Sequence, residues 1–379
     1  MKPNIAIVHD YLTAIGGAEM TLKSMCELWP RAPVYTLLYD FKTLPRAFIK
    51  NKIYPSFLNK LPPFFKKRKK IILPFFTVAP ETFDLREFDV VVSSSGAFSK
   101  GVITKPSTLN VCYCHSPMRF AWDYTHQYLA ELKTGRLKNF WARFVLNYVR
   151  LWDAVSADRA DYIVANSQAT RQKIRKYYRR SSVVIYPPVE TELFAQSACE
   201  ARKDHGYFLI VSRLSAYKKI NLAVEAFNKL GWKLVIIGQG PEFKKLHRLA
   251  GPNIKLLGYQ NRKKTIQYFK NCRAYIQPAE EDFGISTVEA MAAGKPVLAL
   301  NQGGAREIIK PGLNGEFIQA SSAEVLAQGV FKINQNRKNY NPQKIQAFAQ
   351  KFSSRRFKKE LKEFIQKKYY AFRDKDTNR

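Results

Sequence analysis

Short apolar runs alternate with helix-patterned stretches along nearly the whole chain, and this alternation constrains the fold more than any other feature. The first runs are Asn4 to His9, Val34 to Tyr39, Phe88 to Ser93, Leu109 to His115, Tyr162 to Asn166 and Val183 to Tyr186. Runs this short and this rich in Val, Ile and Leu read as strands of a parallel sheet covered by helices on both faces. Between the first two, Ala18, Leu22, Met25 and Trp29 recur at helical spacing and predict one covering helix. A second series follows Pro187 and Pro188: Tyr207 to Ser212, Leu234 to Gly238, Ile254 to Gly258, Ala274 to Gln277, Pro296 to Leu300 and Gly315 to Ile318. The paired prolines and the polar stretch to Gly206 predict a linker.

The reading is therefore α/β, with two doubly wound Rossmann-like domains at residues 1–189 and 190–350. A basic helical tail at 351–379 carries Phe352, Phe357, Leu361, Phe364 and Tyr369, and is expected to pack back on the first domain. A chain of 379 residues is too long for one ordinary core and suits two. Doubly wound sheets bind ligands beyond the carboxyl ends of their strands, so the expected site is a cleft between the halves.

Cys26, Cys112, Cys114, Cys199 and Cys272 form no CxxC pair and have no His-rich companion segment, which reads as reduced thiols of a cytosolic protein rather than a zinc site. The apolar run near Met1 is too short for a signal-peptide core. Ile71 to Pro80 contains two prolines and falls well short of the roughly 20 residues that cross a bilayer as a helix. A soluble or peripheral cytoplasmic protein is expected. The formal charge of +33 calls for an anionic partner, either nucleic acid or lipid. Lys66, Lys67, Arg68, Lys69 and Lys70, flanked by Phe64, Phe65 and the run from Ile71 to Phe76, have the make-up of an anionic membrane contact. A solvated basic loop is the plainer alternative. No RNA-recognition or helix-turn-helix signature accompanies the charge, so nucleic acid is not expected.

Two segments carry chemistry. After the first strand, His9, Asp10 and the pair Gly16-Gly17 open a helix, where backbone amides approach a phosphate or sugar closely. A tight turn would use the same glycines, and the GxGxxG spacing is missing. The second segment runs from Pro278 to Val297. A strand ends, a loop with Gly284 exposes amides, a helix starts near Ser286 or Thr287, and Gly294 ends it. Glu281 and Glu289 stand at the two ends of this turn, so each carboxylate can accept from hydroxyls at one end of a ligand while a phosphate lies on the amides between. An anion with two polyol ends describes a nucleotide sugar.

On these residues the chain resembles the family 4, group 1 glycosyltransferases of GT-B architecture. Their hallmark of Glu, seven residues and Glu matches Glu281 to Glu289, followed by the Glu-Ala-Met-Ala-x-Gly-x-Pro-Val run. Closest are bacterial enzymes adding sugars, often mannose, to lipid-linked O-antigen or exopolysaccharide intermediates. That branch also shares the Val-His-Asp-Tyr-Leu opening, the segment from Cys112 to Arg119, and Ser212-Arg213-Leu214 with Lys218. The resemblance implies that Arg213 and Lys218 neutralise the donor diphosphate, Glu281 contacts the transferred sugar, and Glu289 holds the ribose. It further implies that Phe283, Gly284, Ile285 and Ser286 supply amides, that His115 lies near the reacting carbon, and that Gly16 and Gly17 meet the phosphate or acceptor. Arg119, Asp10 and Glu307 are weaker candidates. Lys219 stands where many relatives have Gly.

The implied reaction retains anomeric configuration. No carboxylate stands out as a covalent nucleophile, so front-face displacement is expected, with no cofactor and no metal because no DxD-like segment is present. The implied partners are GDP-mannose or another nucleotide sugar, a polyprenyl-diphosphate-linked saccharide and an anionic membrane surface. A UDP-sugar enzyme of the same fold, either a glucosyl or galactosyl transferase or an epimerase, is the alternative, ahead of a basic nucleic-acid-binding protein.

Overall fold

The structure, a computed structural model, describes residues 3–41, 43–44, 48–62, 73–131, 135–195, 197 and 204–377. The chain divides into two compact units: Met1–Tyr186 together with Phe357–Arg379, and Pro187–Arg356.

The first unit is built on seven parallel strands, β1 (Ile5–Leu12), β2 (Val34–Tyr39), β3 (Ile53–Pro55), β4 (Val90–Ser95), β5 (Leu109–Cys114), β6 (Tyr162–Ala165) and β7 (Val183–Val184), in the order β3-β2-β1-β4-β5-β6-β7. Every residue of β4 and β5 is buried, as strands covered on both faces require. Alternate side chains go to opposite faces. Ile5 and Ile7 join Leu22 and Met25 of the Gly17–Leu28 helix in one cluster, while Ala6 and Val8 join Val91 and Val102 in another. The Ser354–Thr377 helix repeats apolar residues every fourth position, and Phe357, Leu361, Ile365 and Tyr369 sink into the cluster that holds Leu22 and Met25. Strand β3 has no apolar run to announce it; it is a three-residue edge strand ending in a proline that an edge tolerates.

The second unit holds six parallel strands, β8 (Tyr207–Val211), β9 (Lys233–Ile237), β10 (Ile254–Leu256), β11 (Ala274–Gln277), β12 (Val297–Leu300) and β13 (Gly315–Ile318), ordered β10-β9-β8-β11-β12-β13. Its helices carry their own start signals. The Asn261 side chain accepts from the Lys264 amide at 2.9 Å and that of Ser322 from the Val325 amide at 3.2 Å. In each sheet the strand order reverses once, between β1 and β4 and between β8 and β11. The segments leaving those strands diverge there and leave a crevice at their carboxyl ends.

Candidate active site

In the second unit the two loops bordering the reversal point carry the predicted cations and carboxylates. The chain leaves β8 through Ser212 and Arg213, makes a 3-10 turn at Ala216–Lys218, and starts the Ile220–Leu230 helix from Lys219 in a left-handed conformation, φ 51°. The Lys218 ammonium donates to Glu281 Oε1, and it lies 5.0 Å from the centre of the Tyr217 ring. Arg213 keeps an exposed side chain in the same loop. Gly238 makes this loop possible: a Cβ there would fall 1.8 Å from the Ser212 carbonyl oxygen, so any other residue would push the loop away.

The loop after β11 is held just as closely. The Gly304 amide donates to the Glu281 carbonyl at 2.9 Å, and a Cβ on Gly304 would lie 2.5 Å from Phe283 Cα. Phe283 is buried against Phe352, with ring centroids 5.5 Å apart. The helix that follows is Ile285–Ala292, one or two residues earlier than the sequence suggests. Gly284 is its N-cap at φ 101°, a left-handed conformation that favours glycine, and no side chain caps the first amides. Ile285 and Ser286 sit in the first turn, where amides lack intrahelical acceptors and the helix dipole favours an anion.

Glu289 lies one turn further along, on the buried face of that helix. Arg262 donates to Glu289 Oε1 at 2.5 Å and also reaches Glu190 at 3.5 Å, with its guanidinium over the Phe194 ring. Burial pushes the Glu289 carboxyl above its ordinary range, against the opposing pull of Arg262. For Arg262 burial works against the charge, but Glu289 and Glu190 outweigh it and hold the guanidinium protonated. The two directions are compatible: the better-buried partner bears the desolvation cost, while the half-exposed cation gains from two carboxylates.

In the first unit the predicted residues gather around the other reversal point. Asp10 accepts four backbone amides, those of Gly96, Ala97, Phe98 and Ser99, at 2.6 to 2.8 Å, and thereby fixes the loop leaving β4. A hydrogen-bonded chain runs across three strands. His9 Nδ1 meets Ser94 Oγ at 3.1 Å, and Ser94 Oγ meets His115 Nε2 at 2.8 Å. His9 Nε2 lies 3.8 Å from Glu19, whose other oxygen accepts the Gly16 amide at 2.8 Å. A single hydroxyl proton between two imidazoles couples their tautomers. The Gly16-Gly17 turn is exposed and His115 is half-buried, with the His9–Glu19 gap of 3.8 Å lying between the two hydrogen-bonded segments. Arg119 follows in the loop after β5 and is half-buried.

The structure brings together Lys218 with Glu281, and links His115 through Ser94 to His9; Arg213 is in the first loop without joining the Lys218–Glu281 pair. Glu307 lies in the short Ala305–Ile308 helix behind the Gly303-Gly304 turn. Lys66, Lys67, Arg68, Lys69 and Lys70 lie outside the described residues. Sequence reasoning missed Arg262, Glu190 and Ser94, and placed His9 and Asp10 after the first strand, whereas both lie within β1. Among the described residues no cluster of three or more His, Cys, Asp or Glu could hold a metal ion. Cys112 and Cys272 are buried, which pushes their thiols up to about 11 and about 12 and keeps them protonated.

Comparison with known proteins places both halves. Residues 15–193 match the family described as Glycosyltransferase Family 4, and residues 198–351 match Glycosyl transferases group 1. An uncharacterized glycosyltransferase of Methanocaldococcus jannaschii is 25% identical over 47% of this chain and 50% of its own. The alpha-1,3/1,6-mannosyltransferase of Saccharomyces cerevisiae is 26% identical over 83% of this chain and 73% of its own. The chain spans only half to just under two thirds of the first curated relatives it matches. Among solved structures, Anabaena HepE in complex with UDP-glucose superposes with a TM-score of 0.71 at 20% identity, covering 97% of this chain and 100% of that one. The fold is GT-B.

Proposed function

We propose that this chain, a glycosyltransferase of the GT-B type by both of its family domains, moves a hexose from a nucleotide sugar to a lipid-linked saccharide with retention of configuration. One observation carries the reading. Two ends of a single loop and helix, at the reversal point of the second sheet, present a Lys218–Glu281 pair and a buried Glu289, with helix amides between them. A diphosphate would compete with Glu281 for Lys218 and draw in the exposed Arg213. Their charge offsets what develops on the departing phosphate, so the leaving group is stabilised where the bond breaks. Glu281, released from Lys218, then faces the sugar hydroxyls, and Glu289 accepts from the ribose.

Mannose from GDP-mannose is the preferred donor, because a relative aligned over 83% of this chain is named a mannosyltransferase. The second reading, a UDP-sugar, is favoured by the solved neighbour that holds UDP-glucose. The acceptor we propose is a polyprenyl-diphosphate-linked saccharide of surface polysaccharide synthesis, met at the inner face of the cytoplasmic membrane. The lysine-rich composition suits both the diphosphate and the leaflet. Calorimetric titration with GDP, UDP, GDP-mannose and UDP-glucose, on the wild type and Glu289→Ala, tests the reading. Binding of one nucleotide family, weakened by the substitution, supports it and names the base. Binding of RNA with no nucleotide binding refutes it.

A further inference from the structure

The Arg136–Ala157 helix of the first unit is apolar on two faces. One face is fixed. Val149 and Trp152 pack with Phe76 and Phe98, and fully buried Asp153 accepts from Lys100, from Trp122 at 2.7 Å and from Tyr178 at 2.8 Å. The other face is bare: Phe140, Trp141, Phe144, Tyr148, Leu151 and Val155 each expose between 48% and 63% of their surface. Steps of one, three and four residues align these six in a single stripe along the helix. Isolated exposed apolar residues are ordinary, whereas a continuous row marks a contact surface. Trp141 stands edge-on to Phe140 and Phe144, with centroids 6.1 and 6.2 Å away, so the aromatic end is a ready-formed block. The Leu73–Val78 helix touches this helix and adds exposed Phe75 and Val78.

Charge decides what covers the stripe. From Leu132 through Trp152 the sequence contains Lys133, Arg136, Lys138, Arg143 and Arg150 and no Asp or Glu. The five cations from Lys66 to Lys70 directly precede the neighbouring helix in sequence. A second copy would bring two such cationic segments face to face, each on a chain of net charge +33. An anionic bilayer offers the complement, since aromatic rings settle at headgroup depth while basic side chains meet lipid phosphates. No described helix is long and apolar enough to cross a membrane. We infer that the stripe on the Arg136–Ala157 helix is a docking surface that seats this helix flat in the headgroup region of an anionic membrane. The inference stands without the donor chemistry, because a helix that docks on lipid does so whatever reaction the chain performs.

The test is co-sedimentation of the full chain with vesicles of phosphatidylcholine alone or mixed with phosphatidylglycerol. The wild type is expected to sediment with the mixed vesicles and be released by salt. The triple variant Phe140→Ser, Trp141→Ser, Phe144→Ser, with an unchanged circular dichroism spectrum, is expected to partition about tenfold less or weaker. Brominated lipids give a second readout: they should quench part of the tryptophan fluorescence of the wild type and none of that part in Trp141→Phe. Equal sedimentation of wild type and triple variant, or equal quenching in Trp141→Phe, overturns the inference. So does sedimentation velocity showing a wild-type dimer that the triple variant abolishes, which would give the stripe to a second copy. Nucleotide titration of the triple variant should match the wild type, so a failure here is distinct from a failure of the transferase reading.

Discussion

Replacing Arg262 with Gln removes the cation that holds Glu289, and the geometry sets the size of the effect. Glu289 is 7% exposed and receives a charge-assisted hydrogen bond at 2.5 Å. A hydrogen bond to a charged group contributes about 1.5–3 kcal/mol, and stranding a buried charge costs about 3–5 kcal/mol. The guanidinium is 38% exposed, so water screens part of its attraction and the lower range applies, about 1.5–2 kcal/mol near pH 7. For a domain of this size that corresponds to a fall in Tm of about 3–8 °C. The sign with pH is fixed by the raised carboxyl of Glu289. Above its ordinary value of 4.5 the folded chain holds a proton the unfolded chain has lost, so this group lowers stability as pH rises. Without Arg262 the folded value climbs further, and the gap between variant and wild type widens from pH 4.5 upward. Differential scanning fluorimetry of wild type, Arg262→Gln and Arg262→Lys across that interval reads the gap directly. An Arg262→Gln melt displaced equally at both ends of the interval, or not at all, would refute the coupling.

Lys218→Ala is expected to lower kcat about 10²–10³-fold in a sugar-transfer assay with little change in Tm, since its charge is needed most as the phosphate departs. Asp10→Asn keeps the shape but turns an NH2 toward amides that now donate to Asp10, and should cost about 2–4 kcal/mol in chemical denaturation. Gly304→Ala places a methyl 2.5 Å from Phe283 Cα, so about 1–3 kcal/mol of stability and a measurable part of nucleotide affinity should be lost together; calorimetry that finds nucleotide affinity intact would count against the loop's role.

All the strands but β3 were legible because parallel strands covered on both faces carry short, largely apolar runs, as Val34–Tyr39 and Ala274–Gln277 do. Helix starts were less so. The Ile285–Ala292 helix begins from a left-handed glycine with no side-chain cap, so no Ser, Thr, Asp or Asn marks its start. The acidic pair was readable because both members sit on one continuous strand, loop and helix. Arg262 comes from a separate βα unit and Glu190 from the linker, so no spacing rule joins them to Glu289. The His9–Ser94–His115 chain exists only through strand register: β1 and β4 place His9 beside Ser94. A pattern read along the chain does not contain that register.

The path of the backbone has a consequence for how the protein is made. Phe357, Leu361, Ile365 and Tyr369 complete the core around Leu22, Met25 and Tyr113, yet they are translated after all of Pro187–Arg356. The second unit is one uninterrupted segment and can close as soon as it clears the ribosome. The first must wait through its neighbour's synthesis, on the order of ten to thirty seconds at cellular elongation rates, with an apolar flank uncovered. The first unit's core therefore closes last, once the Ser354–Thr377 helix has followed the whole of its neighbour.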